Sequence, residues 1–294
     1  MPKRREYITV DVFTDRPLEG NQLAVFTDAR ELREPEFQRL AREMNLSETT
    51  FVLPRDPAVE RERGVKVRIF TVAEELDFAG HPTLGTAAAL RARCGAAQVE
   101  LDLRAGKIPV EFDDAQGPCF GTMRQRDPEF GRVHRREDIA GFTNLRVEDL
   151  RDDVPIQTVS TGMAFAVVPV ATLAALQGLR VDTAGAAAHA GRTDAKFFFF
   201  VSTETVDPKA RIHARMIFYN GEDPATGSAS GCCAAWLVKH GLAASEERVL
   251  IEQGIECGRP SRLFVSAERR VDTVTNVRVG GSAVEVARGV LTLP

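Results

Sequence analysis

Four polar side chains have the types needed to move a proton and orient a small molecule: Glu48, His81, Asp223 and Ser228. A carboxylate or an imidazole can take and return a proton near neutral pH when its surroundings tune it. Glu48 lies in Asn45-Leu46-Ser47-Glu48-Thr49-Thr50, between a helix end and a strand start. His81 stands in Gly80-His81-Pro82-Thr83, and Asp223 and Ser228 share Gly221-Glu222-Asp223-Pro224-Ala225-Thr226-Gly227-Ser228. Taken singly, each has a plainer reading. Glu48 could be a solvated strand-end carboxylate, His81 a capping group, Asp223 part of an Asp-Pro turn and Ser228 a helix-start hydroxyl. Three of the four, however, lie at two matched helix starts.

The match is a short internal duplication with a one-residue gap. Val67-Arg68-Ile69-Phe70 precedes Gly80 and the small-residue run Gly85-Thr86-Ala87-Ala88-Ala89-Leu90. Ala214-Arg215-Met216-Ile217-Phe218 precedes Gly227 and Gly231-Cys232-Cys233-Ala234-Ala235-Trp236. Arg68 and Arg215 each stand 12 residues before their glycine, and the offset between the copies is 147, half of the 294 residues. Ala, Gly, Thr and Cys cover nearly every side of both helices. A helix without a polar face is buried all round, and small side chains let neighbouring strands approach closely. Each helix opens at a glycine-containing turn, where free N–H groups and the macrodipole attract an anion. Two such starts facing each other would suit a carboxylate.

The remaining chain supplies strands and a few helices. Tyr7 to Phe13 alternates as a strand, a turn follows over Thr14 to Asn21, and Leu23 to Phe26 is apolar. Phe37, Leu40, Ala41 and Met44 share one helix face, with Asn45 as its stop. Thr49 to Leu53, Val65 to Val72, Val99 to Leu103 and Ile108 to Phe112 read as strands. The stretch from Arg124 to Asp153 is charged and loose, and reads as a domain connection with a surface helix. Ile156 to Ser160, Phe165 to Val168, Phe197 to Thr203 and Arg211 to Phe218 are strands, and the tail from Val271 to Leu293 holds several more. Asp182 to Gly191 is a small helix or a loop. Ala229 to His240 is helical and stops at Gly241.

Composition removes several function classes. With 38 basic and 42 acidic residues the net charge is −4, which disfavours a generic nucleic-acid binder. The chain is 44% hydrophobic and 27% charged, enough for a core and against disorder. No apolar run follows the basic N-terminus as in a signal peptide. The uncharged run around Val154 to Leu179 is interrupted by Pro155, Gly162 and Pro169, so no membrane span is expected. Cys94, Cys119, Cys232, Cys233 and Cys257 are odd in number and lack Cys-x-x-Cys spacing, so free thiols in a reducing cytoplasm are expected and a metal site is not. Nucleophile-elbow, P-loop and dinucleotide motifs are absent. A cofactor-free acid–base enzyme is the reading these residues support.

The motifs resemble the phenazine-biosynthesis PhzF family. The matching blocks include Val10-Asp11-Val12-Phe13-Thr14, Gly20-Asn21-Gln22-Leu23-Ala24-Val25, Asn45 to Val52, Phe78-Ala79-Gly80-His81-Pro82-Thr83-Leu84-Gly85, Ser160-Thr161-Gly162 and Gly221 to Ala229. The resemblance implies an α/β (α+β) fold like that of diaminopimelate epimerase: two pseudo-symmetric domains, each a barrel-like mixed sheet around a central helix, with the active site between them. It places one domain over 1–122, joined by a returning strand at about 284–294, and the other over 123–283. Epimerase relatives carry a cysteine at each helix start, and Ala79 and Thr226 occupy those positions here. The resemblance instead makes Glu48 the proton carrier, with His81 and Asp223 orienting substrate and Gly80, Gly227 and Ser228 binding it. It implies a cofactor-independent isomerase acting on a small anionic carboxylate substrate, without nucleic-acid or membrane partners, as a cytoplasmic homodimer. An epimerase or racemase and a non-catalytic binding protein are the alternatives.

Overall fold

The computed structural model describes residues 3–218 and 221–293. The chain divides into two compact units, Met1–Arg124 with Gly280–Pro294, and Gln125–Val279.

The first unit contains β1 (Lys3–Val12), β2 (Asn21–Phe26), α1 (Glu34–Met44), β3 (Glu48–Leu53), α2 (Pro57–Arg63), β4 (Val65–Phe70), β5 (Glu75–Leu76), α3 (Gly80–Cys94), β6 (Gln98–Leu103), β7 (Gly106–Phe112), β8 (Gly121–Arg124) and the last strand, β19 (Ala283–Leu293). Its strands pair in the order β19–β1–β2–β3–β4–β6–β7–β8, with β2–β3 and β4–β6 parallel and the others antiparallel. The helix α3 touches β1, β2, β3, β6, β8 and β19, so the sheet wraps it. Its composition permits this: Gly80 through Ala89 are all buried. At Gly85 an added Cβ would stand 2.7 Å from both Leu23 and Val12 side chains. The opposite face of β2, β3 and β4 is covered by α1, where Phe37 meets Phe26, Phe51 and Phe70 in one cluster. Strands covered on both faces lose the polar alternation of half-buried ones, and β3 is buried from Glu48 to Val52.

The second unit contains β9 (Glu129–His134), α4 (Arg136–Ala140), β10 (Ile156–Ser160), β11 (Ala164–Pro169), α5 (Leu173–Gln177), α6 (Thr183–Ala190), β12 (Phe197–Ser202), β13 (Ile212–Arg215), β14 (Ile217–Phe218), β15 (Gly221–Glu222), α7 (Gly227–Lys239), β16 (Val249–Gln253), β17 (Ser261–Arg270) and β18 (Thr273–Gly281), which runs across the unit boundary. Strands β9–β10–β11–β12–β13–β16–β17 pair in that order, with β11–β12 and β13–β16 parallel. Residues Gly227 to Val238 of α7 are buried on every side, and the helix touches β10, β11 and β17.

Several elements depart from the sequence reading. The stretch expected to be a loose connection holds β9, and α4 is anchored in a core cluster by Ile139, with Phe142, Leu145 and Leu150 beside it. The charges that suggested a solvated face do point outward at Arg132, Arg135, Glu137 and Asp138. The expected strand from Arg211 to Phe218 breaks at Met216 into β13 and β14. β16 gave no alternation because all five of its residues are buried. The short helices α2 and α5 begin at Pro57 and Leu173, behind side-chain caps from Asp56 and Thr172, cap signals whose helices are too short for a periodic apolar face.

Candidate functional site

Glu48 and His81 meet in the first unit. Glu48 opens β3 and His81 is the second residue of α3, and both are buried. His81 Nε2 lies 3.5 Å from Glu48 Oε2. On the other side of the ring, Asn21 Nδ2 lies 3.1 Å from His81 Nδ1. Burial pushes the imidazole down to about 3, against a smaller opposing effect of the Gln22 backbone. His81 is therefore neutral at physiological pH. The pair is a carboxyl group beside a neutral imidazole, an arrangement suited to passing or orienting a proton.

Asp223 and Ser228 belong to the second unit. Asp223 follows β15 and is buried, its N–H donating to the Met216 carbonyl at 2.8 Å. Thr226 Oγ1 donates to Asp223 Oδ2 at 2.5 Å. The Gln253 amide donates to the Asp223 carbonyl at 2.7 Å and accepts from the Thr226 N–H at 3.0 Å. Ser228 is the second residue of α7 and is buried. Gln125 Nε2 donates to the Gly227 carbonyl at 3.0 Å, and Thr161 Oγ1 donates to Gln125 Oε1 at 2.6 Å. The structure thus brings Glu48 and His81 together, and sets Asp223 four residues before Gly227 at the start of α7.

Both helix starts have the same chemical character. The N-cap residues are Ala79 and Thr226, neither makes a side-chain cap, and neither first turn carries an acidic residue. First-turn N–H groups not engaged by a cap are available to an anion. The cysteines are placed elsewhere. Burial pushes the Cys232 thiol up to about 11 and raises Cys233 as well, which makes them packing groups rather than proton carriers. Cys119 and Cys257 are also free, and the side chain of Cys94 lies outside the described residues.

Sequence reasoning missed Asn21, Gln253, Thr226 as a donor, and a charged brace before each helix. Arg68 makes two bonds of 2.7 Å to Glu75, and Arg215 makes bonds of 2.8 and 2.7 Å to Glu222. Glu75 and Glu222 stand 147 residues apart, as do Arg68 and Arg215. Extending the internal match by seven residues would have found the brace. Nothing local marked Gln253, which comes from a distant strand.

A sheet-wrapped helix of small residues, opening beside a buried carboxyl–imidazole pair, defines an α/β enzyme of the kind shared by PhzF proteins and related epimerases. The family model described as phenazine biosynthesis-like protein matches residues 10–289, and the chain belongs to that family. It is 37% identical over 292 residues to the trans-2,3-dihydro-3-hydroxyanthranilate isomerase of Pseudomonas chlororaphis, covering 98% of this chain and 99% of that one. Among solved structures it is similar to a PhzF-family phenazine biosynthesis protein of Bacillus anthracis, at 29% identity with a TM-score of 0.87 over 98% of this chain and 99% of that one. A protein of Pseudomonas aeruginosa described as a predicted epimerase is 36% identical with a TM-score of 0.83, over the same shares. The chain is an isomerase. No helix among the described residues is long and apolar enough to cross a membrane.

Proposed function

We propose that this isomerase works without a cofactor and moves a proton between carbons of one conjugated, carboxylate-bearing substrate. Glu48 removes the proton from one carbon and returns it to another. Neutral His81 and Asp223 orient the substrate and stabilise charge as it develops. Ser228 and the backbone N–H groups at Gly80 and Gly227 hold the carboxylate. The observation that carries this reading is the approach of buried Glu48 to His81 Nε2. The substrate we infer is trans-2,3-dihydro-3-hydroxyanthranilate or a close analogue, as in the named relatives. A homodimeric cytoplasmic enzyme and a two-domain organisation matching the two units complete the proposal.

The test is solvent-deuterium incorporation during turnover. Glu48→Gln should lower it by about 10²–10⁴-fold, the usual contribution of a positioned acid–base group. Exchange at the wild-type rate in that variant would refute the assignment. An epimerase reading is favoured by one structural relative, and chiral analysis of the product decides it. A moved double bond identifies the isomerase, and an inverted stereocentre with the bonds unmoved identifies the epimerase.

A further inference from the structure

The hydrogen bonds around Asp223 have a direction that the side chains themselves determine. Gln253 is fully buried. Its amide faces a pure donor, the Thr226 N–H at 3.0 Å, and a pure acceptor, the Asp223 carbonyl at 2.7 Å. Reversing the amide would set donor against donor and acceptor against acceptor, so only one orientation satisfies both. In that orientation Nε2 also donates to Thr226 Oγ1 at 2.9 Å. The threonine hydroxyl, having accepted, spends its single hydrogen on Asp223 Oδ2 at 2.5 Å. That length is typical of a hydroxyl bonded to a charged carboxylate. Gly254 presses the same strand end onto the turn: with φ +79°, an added Cβ there would collide with the Pro224 and Arg259 carbonyls.

The first unit shows what this network is not for. Counting back 147 residues, Asp223 and Thr226 correspond to Leu76 and Ala79. By strand register, Val65 pairs with Leu101 as Ile212 pairs with Ile251, which sets Gln253 against Leu103. All three counterparts are apolar and buried. The same strand–turn–helix scaffold therefore closes without the network. The polar trio exists where a carboxylate must be aimed.

We propose that Thr226 and Gln253 are positioning residues that fix the orientation of the Asp223 carboxylate for substrate. The inference rests on the reading that Asp223 contacts substrate. Neither residue needs to touch the substrate itself.

Steady-state kinetics with trans-2,3-dihydro-3-hydroxyanthranilate should show Thr226→Val and Gln253→Met each losing about 10–100-fold in kcat/KM, the range for a lost bond to a charged group. The loss should fall on the same parameter, kcat or KM, that Asp223→Asn changes. Thr226→Ser should recover most of what Thr226→Val loses. In an Asp223→Asn background, Thr226→Val should cost little more, because the two act through one contact. Fully additive losses, or single variants near wild-type kinetics while Asp223→Asn is impaired, would overturn the positioning role and leave the site reading intact. An Asp223→Asn enzyme with wild-type kinetics would instead overturn the site reading. A crystal structure of Thr226→Val serves independently of any substrate: a rotated Asp223 carboxylate supports the inference, and an unmoved one overturns it.

Discussion

The two units run through the same ladder. In the first, an antiparallel pair, a parallel pair, an antiparallel pair, a parallel pair and an antiparallel pair lead from β1 to β7. In the second the same sequence of pairings leads from β10 to β17. The registers superimpose residue by residue. Leu23 faces Glu48 where Phe165 faces Phe197, and Phe51 faces Arg68 where Phe200 faces Arg215. The Arg–Glu brace recurs, and each helix start follows it at the same distance. The polar residues coincide at only one matched position, the second residue of each helix, and differ there in type. Glu48 has Phe197 as its counterpart, Asp223 has Leu76, and His81 has Ser228. One scaffold was thus used twice, and of the proposed site residues Glu48 and Asp223 have apolar counterparts while His81 and Ser228 share one position with different chemistry. What repeats is the packing problem of burying a helix inside a curved sheet. What differs is the chemistry.

The largest expected effect breaks this comparison at its active position. Glu48→Gln should abolish most proton transfer, as above, while Phe197→Leu at the matched register should leave turnover near wild type. Equal losses from both would mean that the register, not the carboxyl group, matters.

Next come the two braces. Arg215 is buried, gives its guanidinium to Glu222, and also donates to the carbonyls of Leu176, Gln177 and Leu179. Arg215→Met strands a buried carboxylate and three acceptors, and should cost about 3–5 kcal/mol. Arg68 is more open, divides its guanidinium between Glu75 and exposed Glu34, and lies over the Phe37 and Phe70 rings. Methionine there keeps much of the ring contact, so Arg68→Met should cost about 2 kcal/mol. Urea unfolding of both variants measures the difference, and a larger loss at Arg68 would contradict it.

His81 and His213, both buried, should respond oppositely to pH. The unfolded imidazole binds its proton near 6.5, but folded His81 does so only near 3. Between those values the unfolded chain holds the extra proton, so this group's stability is lost as pH falls, by about 1.4 kcal/mol per unit. Burial also disfavours charge on His213, but its hydrogen bonds to Glu256 and Glu252, at 3.0 and 2.7 Å, outweigh that and raise it. Its contribution is complete below the unfolded value and is lost as pH rises through the folded one. The stability difference between wild type and His81→Asn should therefore shrink toward acid. The difference for His213→Asn should shrink toward alkali, and slopes of the same sign would refute the assignment.

The smallest effect concerns the helices. Gly85→Ala meets side-chain methyl groups of Leu23, Val12 and Val10 and no backbone, and should cost about 1–2 kcal/mol. Gly231→Ala runs into the Gln125 amide that holds the Gly227 carbonyl. Thermal denaturation should rank it as the more damaging of the two.

Much of this was legible along the chain. The burial of both helices follows from their having no polar face, and Asn45 and Gly241 mark helix ends with left-handed backbone, at φ 50° and 73°. The positions of Glu48, His81, Asp223 and Ser228 at element starts were also readable, because caps, turns and strand starts are local signals. Strand β9 was not, because its exposed charges hide a single inward anchor, His134. Nor was β16, where complete burial erases alternation.

The amino-acid order alone determined most of the helices and the alternating strands, where the small-residue helices begin, and which side chains could carry a proton. Those properties depend on neighbours within a few residues. Only the tertiary structure decided that His81 is neutral, that it lies 3.5 Å from Glu48, and that a glutamine from β16 directs the hydroxyl aimed at Asp223. Protonation depends on burial, and hydrogen-bond direction depends on partners brought from distant strands, so neither is fixed until the sheet has closed around its helix.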